Sequence, residues 1–166
     1  MTGIILRNNA KRTYVGAGII LTRRAPNGEH QYLLLKGIDT GIWSFSKGHP
    51  EDYDEKAPLR TAVRETFEET GLQVGDYMII GDSIRFGKRP YWVGVMKDPH
   101  ATVTVNRTEH TMASWFSWKE ICQLNTNTDV RCWIKKSRGA NSRFMAFSSL
   151  VPSPSPSGTQ DTHLTA

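Results

Sequence analysis

The chain carries two cysteines, Cys122 and Cys132, with no CxxC pair and no Cys/His cluster. That scarcity excludes a disulfide framework and leaves zinc without ligands at the usual spacing; a reduced, cytosolic pair is expected. No apolar run approaches the ~20 residues needed to cross a bilayer as a helix, which excludes a helical span and a membrane partner held by one. The apolar stretch Ile4-Ile5-Leu6 is short and lacks a basic segment before it, so no signal peptide is expected and the cytoplasm is the expected compartment. There is no internal repeat, and so no solenoid.

What is present describes an ordinary soluble protein with a polar lean, and its strand and helix signals are expected to make an α+β fold. The 166 residues are 38% apolar and 22% charged, with a net charge of +5 that favours an anionic substrate or partner. A β-rich run over 14–23, a turn at Ala25-Pro26-Asn27-Gly28 and a return strand over 31–36 predict a hairpin. A loop over 37–41 leads to a short strand at 42–45, and a polar, turn-rich loop covers 47–57. Pro58 fits the first turn of a helix that Gly71 closes. Strands are expected over 77–86, 91–97, 102–105 and 113–117, then a capping box at Ser117-Trp118-Lys119-Glu120, helix to Leu124 and a last helix over 129–137. One domain is expected over 1–147, followed by a Ser/Pro-rich tail over 148–166 of the composition that stays disordered.

Glu65, Glu68 and Glu69 carry the chemistry. Spaced i, i+3, i+4, they share one face of the predicted helix within an arc of roughly 100°. Leu59, Ala62, Val63, Thr66, Phe67 and Thr70 are expected to form the opposite, core-facing stripe. Three like charges so close destabilise a helix on their own. The cluster makes sense against a hard divalent cation, which prefers carboxylate oxygen.

The run Arg64-Glu65-Thr66-Phe67-Glu68-Glu69-Thr70-Gly71-Leu72 resembles the second half of the Nudix box, with Thr66 in place of the usual aliphatic residue. The first half departs from that pattern: counted back from Arg64, its glutamate would fall on Lys56 and its glycine on Pro50. Gly48, in Lys47-Gly48-His49, is the better anchor. The loop then carries two extra residues, and Glu55 or Asp54 supplies the missing acid.

The resemblance implies a Nudix-type α/β/α sandwich, with a mixed, partly antiparallel sheet and a catalytic loop–helix–loop. It also implies an enzyme that cleaves a P–O–P bond with water and Mg²⁺ or Mn²⁺. Carried over residue by residue, Glu65, Glu68, Glu69 and the Gly48 carbonyl hold metal, Arg64 orients a glutamate, and Lys47 meets a phosphate. Glu109, in Glu109-His110 ahead of Trp115, is the further acid. Within the family, these features and Tyr91-Trp92 are similar to the asymmetrical diadenosine tetraphosphate hydrolases, where a tyrosine matching Tyr91 stacks a base. Lys88 and Arg89 beside it are further substrate-binding candidates, while Trp43, Trp115 and Trp118 are expected to pack. The rival substrates are an RNA 5′ cap and a diphosphoinositol polyphosphate. A rival of another class is an inactive Nudix fold that only binds.

Overall fold

A computed structural model describes residues 14–54 and 56–138. The tail over 148–166, Glu55 and the first thirteen residues lie outside the described residues. Seven strands and three helices are found among those described: β1 Ala17–Arg24, β2 His30–Gly37, β3 Trp43–Ser44, β4 Ser46–Gly48, α1 Pro58–Thr70, β5 Tyr77–Phe86, β6 Arg89–Met96, β7 His110–Ser117, α2 Trp118–Ile121 and α3 Thr128–Ser137. The strands form one mixed sheet with a spine of β3-β2-β1-β6-β5, to which β4 adds on β1 and β7 on β2. Among the described strands, β1 and β6 pair in parallel, with Gly18 opposite Tyr91.

Period-2 alternation in the strands builds two cores. Ile19 and Leu21 of β1 and Leu33 of β2 face Ala62 and Leu72 around α1. Their neighbours Ile20, Tyr32 and Leu34 face Ile121, Val130, Trp133 and Ile134 of α2 and α3. Helices therefore cover both sheet faces, as the sandwich requires. Each fully buried Ile or Leu in these layers contributes about 1.5–3 kcal/mol of transfer free energy.

Local signals set the helix ends. Pro58 opens α1, and Gly71 ends it in the left-handed region at φ 72°, its N–H donating to the Phe67 carbonyl. Ser117 and Glu120 form a complete capping box on α2, and Asn127 caps α3.

Three expectations need correction. α2 stops at Ile121, well before Leu124. The segment over 102–105 is no strand, because its donors serve a helix end: Thr104 N–H donates to the Thr70 carbonyl and Asn106 N–H to that of Glu69, at 2.8 and 3.1 Å. The buried stripe of α1 is also turned from the expected one. Thr61, Ala62, Thr66, Glu69 and Thr70 point inward, whereas Leu59 and Phe67 are exposed. That inner face tolerates threonines because each finds a partner. Thr61 donates to Asp54 and receives the Tyr14 hydroxyl, Thr66 receives the Ser46 hydroxyl, and Thr70 donates to the Thr66 carbonyl.

Candidate active site

An open cleft of about 530 Å³ gathers Lys47, Gly48, Arg64, Glu65, Glu68, Glu69 and Glu109. Its walls come from β4, α1 and the loops before β3 and β7. Strand β4 is tied antiparallel to β1, with Ala17 opposite Gly48 and Gly18 opposite Lys47, and this pairing presses Gly48 onto the helix. The contact is intimate. A Cβ on Gly48 would stand 1.9 to 2.1 Å from the Glu65 carboxylate atoms, so this glutamate occupies space that only glycine leaves.

Glu69 is 3% exposed, and both its oxygens are held. Oε2 accepts the Lys47 backbone N–H at 3.0 Å. Oε1 lies 3.0 Å from His110 Nε2. A carboxylate can only accept, so Nε2 carries the proton and donates, leaving buried Nδ1 without a partner among the described residues. Glu109 is exposed, and Glu69, Glu109 and His110 each bring a ligand atom within 4.8 Å of the others, a group that could hold a metal ion.

Arg64 organises the acids. Its Nη1 donates to Glu65 at 2.9 Å and Glu68 at 2.8 Å, and its Nη2 to the His49 carbonyl at 2.7 Å. Nε and Nη2 together grip the Asp54 carboxylate at 3.2 and 3.1 Å. Of the two acids left open by the sequence, Asp54 meets Arg64, while Glu55 lies outside the described residues. Asp54 does so from a 3₁₀ turn, Asp52–Asp54, that takes up the extra loop length. Lys56, where an unshifted box would need its glutamate, sits in left-handed backbone at φ 59°.

Electrostatics separate these carboxyls. Burial raises the Glu65 pKa most, Arg64 opposes it, and Glu69 and Glu68 add to the rise. For Asp54, burial is again the largest influence and acts upward. The bonds from Arg64, the Glu51 N–H and Thr61 outweigh it, and the net pKa falls below its ordinary 3.8. Stability from a depressed carboxyl is complete above its ordinary pKa and is lost as pH falls through the folded value. Asp54→Asn is therefore expected to cost about 1–3 kcal/mol in urea melts at neutral pH. The gap between variant and parent should narrow below pH 4; an equal gap at both pH values would contradict the ion pair.

Tyr91 requires a correction. It is fully buried, donates its hydroxyl to Asp129 at 2.7 Å and lies against Phe45 and Phe86. Its ring fills space left by Gly18, where a Cβ would approach it to 2.6 Å. Burial above all, then Asp129, pushes its pKa up. A ring so enclosed cannot stack a base. Lys88 and Arg89 also lie outside the cleft lining: Lys88 is exposed on the hairpin and Arg89 pairs with Asp129 at 3.5 Å. Trp43 packs edge-on to Phe116 as expected. Sequence reasoning set His110 aside as a structural or surface residue, although its place beside Glu109 was a signal. It also passed over Ile38, Asp39 and Thr40, which line the cleft from a loop without periodicity.

A helix presenting three glutamates, an arginine clamp and a fourth acid from a distant loop define a polyanion-processing site of Nudix type. A family model described as NUDIX domain matches residues 2–136, and the chain belongs to that family, as a hydrolase of phosphoanhydride bonds. It is 32% identical over 135 residues to the asymmetrical bis(5′-nucleosyl)-tetraphosphatase of Mus musculus, covering 72% of this chain and 89% of that protein. The Sus scrofa protein of the same name is 31% identical over the same coverage. Among solved structures, a C. elegans Ap4A hydrolase binary complex superposes with TM-score 0.64 at 21% identity, over 81% of this chain and 96% of that one. A Nudix hydrolase from M. Smegmatis also gives 0.64, at 16% identity over 87% and 91%. At these identities the structures speak for the fold.

Proposed function

We propose that the chain hydrolyses a dinucleoside polyphosphate of the diadenosine tetraphosphate type, cleaving one P–O–P bond unsymmetrically with water. The observation that carries this reading is the convergence of Glu65, Glu68, Glu69 and Glu109 in one cleft, in a chain 32% identical to a tetraphosphatase. The donor set is all carboxylate and carbonyl oxygen apart from His110, which suits Mg²⁺ or Mn²⁺. The Glu65 carboxylate packs against the Cα of Gly48, and both residues line the same cleft, which supports the fit. Glu65, Glu68, Glu69 and the Gly48 carbonyl would hold the ion. A bound divalent ion neutralises phosphate charge and lowers the pKa of attacking water.

The chain's own groups do the rest. Arg64 keeps Glu65 and Glu68 oriented, and the Lys47 N–H and His110 keep Glu69 in place. Lys47 offers its ammonium to a substrate phosphate. Exposed Glu109, across the cleft, is the candidate to take the proton of the attacking water.

Diadenosine tetraphosphate, capped RNA and a diphosphoinositol polyphosphate should be incubated with Mg²⁺ and with Mn²⁺, with products identified by mass. The expected result is ATP and AMP from diadenosine tetraphosphate, with one solvent oxygen incorporated. Failure to cleave it under either ion refutes the substrate assignment.

A further inference from the structure

The short strand β4 meets α1 through three consecutive residues. Gly48 sets its Cα against the Glu65 carboxylate, and the Lys47 N–H donates to Glu69 at 3.0 Å. One step back along the strand, the Ser46 hydroxyl donates to Thr66 Oγ1 at 3.3 Å. The first two contacts end on carboxylates that line the cleft. The third does not. Ser46 and Thr66 are 3% and 0% exposed, and neither belongs to the cleft lining.

Thr66 stands where the Nudix box usually has an aliphatic residue. A hydroxyl in mid-helix has a local partner in the carbonyl four residues back, and Thr70 uses the Thr66 carbonyl in this way at 2.5 Å. Thr66 Oγ1 accepts from a different element, twenty residues away in sequence. An aliphatic residue at 66 would leave the buried Ser46 hydroxyl without this acceptor. The bond also has a geometric consequence. β4 is three residues long, and its pairing with β1, Ile19 opposite Ser46, holds it from the sheet side. Of the three contacts toward α1, the hydroxyl bond alone takes no carboxylate oxygen, so it does not compete with an ion for Glu65 or Glu69.

We propose that Ser46 and Thr66 are a positioning couple for the metal cradle, setting how far the Lys47–Gly48 backbone stands from Glu65 and Glu69. The proposal rests on the hydrolase reading for what the cradle holds, and on the hydroxyl contact for how its walls are spaced. Partners that orient metal ligands from behind carry about 10- to 100-fold in metal affinity or activity.

The test compares Thr66→Val, Ser46→Ala/Thr66→Val and Thr66→Ser in the full chain. Valine keeps the shape of threonine but strands the Ser46 hydroxyl, whereas the double variant leaves no hydroxyl unpaired. Melting temperature in EDTA should therefore fall for Thr66→Val and recover in the double variant. Calorimetric Mn²⁺ uptake should weaken about tenfold in both, and kcat on diadenosine tetraphosphate should fall with it while KM stays within about twofold. Thr66→Ser keeps the acceptor and should restore uptake and kcat. Tyr14→Phe is the control: it deletes a hydroxyl that meets Thr61 on the same helix and should leave Mn²⁺ uptake unchanged.

In a parent that binds Mn²⁺, unchanged uptake in Thr66→Val overturns the proposal. So does uptake that recovers together with stability in the double variant, since the couple would then be packing alone. Exchange of the Lys47 amide, followed in EDTA against that of Leu34 in the core, should quicken about tenfold in both variants. Equal exchange in variant and parent overturns the proposal with no ion or substrate present. If Lys47 exchange responds while the parent takes up no Mn²⁺ or cleaves nothing, the hydrolase reading fails and the couple stands.

Discussion

Glu69→Gln is expected to lower kcat by roughly 10³-fold or more while the chain stays folded. The amide keeps the shape of the carboxylate, and its oxygen can still accept the Lys47 N–H. Its nitrogen then faces His110 Nε2, donor against donor, which a change of tautomer relieves because Nδ1 has no partner to lose. The stability cost should therefore remain near that of one hydrogen bond, about 1 kcal/mol. The charge that Glu69 brings to the cleft has no such substitute. Turnover with saturating Mn²⁺, measured beside a thermal melt, checks both statements. Turnover within tenfold of the parent would remove Glu69 from the centre.

Gly48→Ala should be nearly as damaging for a steric reason. The added carbon would overlap the Glu65 carboxylate at about 2 Å, so the carboxylate must leave or β4 must move off β1. Displacements on the order of 1 Å in a reacting array cost about 10²-fold in rate. Overpacking itself costs about 1–3 kcal/mol. Gly75→Ala is the control, because nothing lies within 4 Å of a Cβ there and its backbone is not left-handed. Calorimetric Mn²⁺ titration of both variants separates the two. Weakened uptake is expected for Gly48→Ala alone, and unchanged uptake with unchanged kcat would sink the argument.

The strands and helix ends were legible because local rules govern them: β5 spans 77–86 as read, and Pro58 and Gly71 bound α1. The inward face of α1 was not. A hydrophobic stripe predicts which side is buried only when the buried side is apolar, and here it is built of paired threonines with Glu69 among them. The acid for Arg64 was narrowed to two neighbours, since a loop with two added residues has no fixed register. The hydrogen bonds from Thr61 and the Glu51 N–H hold Asp54 where Arg64 meets it, which no sequence pattern shows. Tyr91 was misread because a residue matched to relatives by position carries no information about depth. His110 was undervalued because a lone histidine gains meaning only from what faces it, and Glu69 lies 41 residues away in sequence.

The stitching of the cleft walls bears on how substrate gets in. Ile38 N–H donates to the Glu109 carbonyl, and the segment before β7 is pinned to the last turn of α1 by Thr104 and Asn106. Neither rim can swing out without giving up main-chain bonds. Admission of a long, charged guest should thus be a matter of side-chain reorientation, fast compared with the microsecond-to-millisecond opening of a lid. Turnover in such a vessel would not wait on a door.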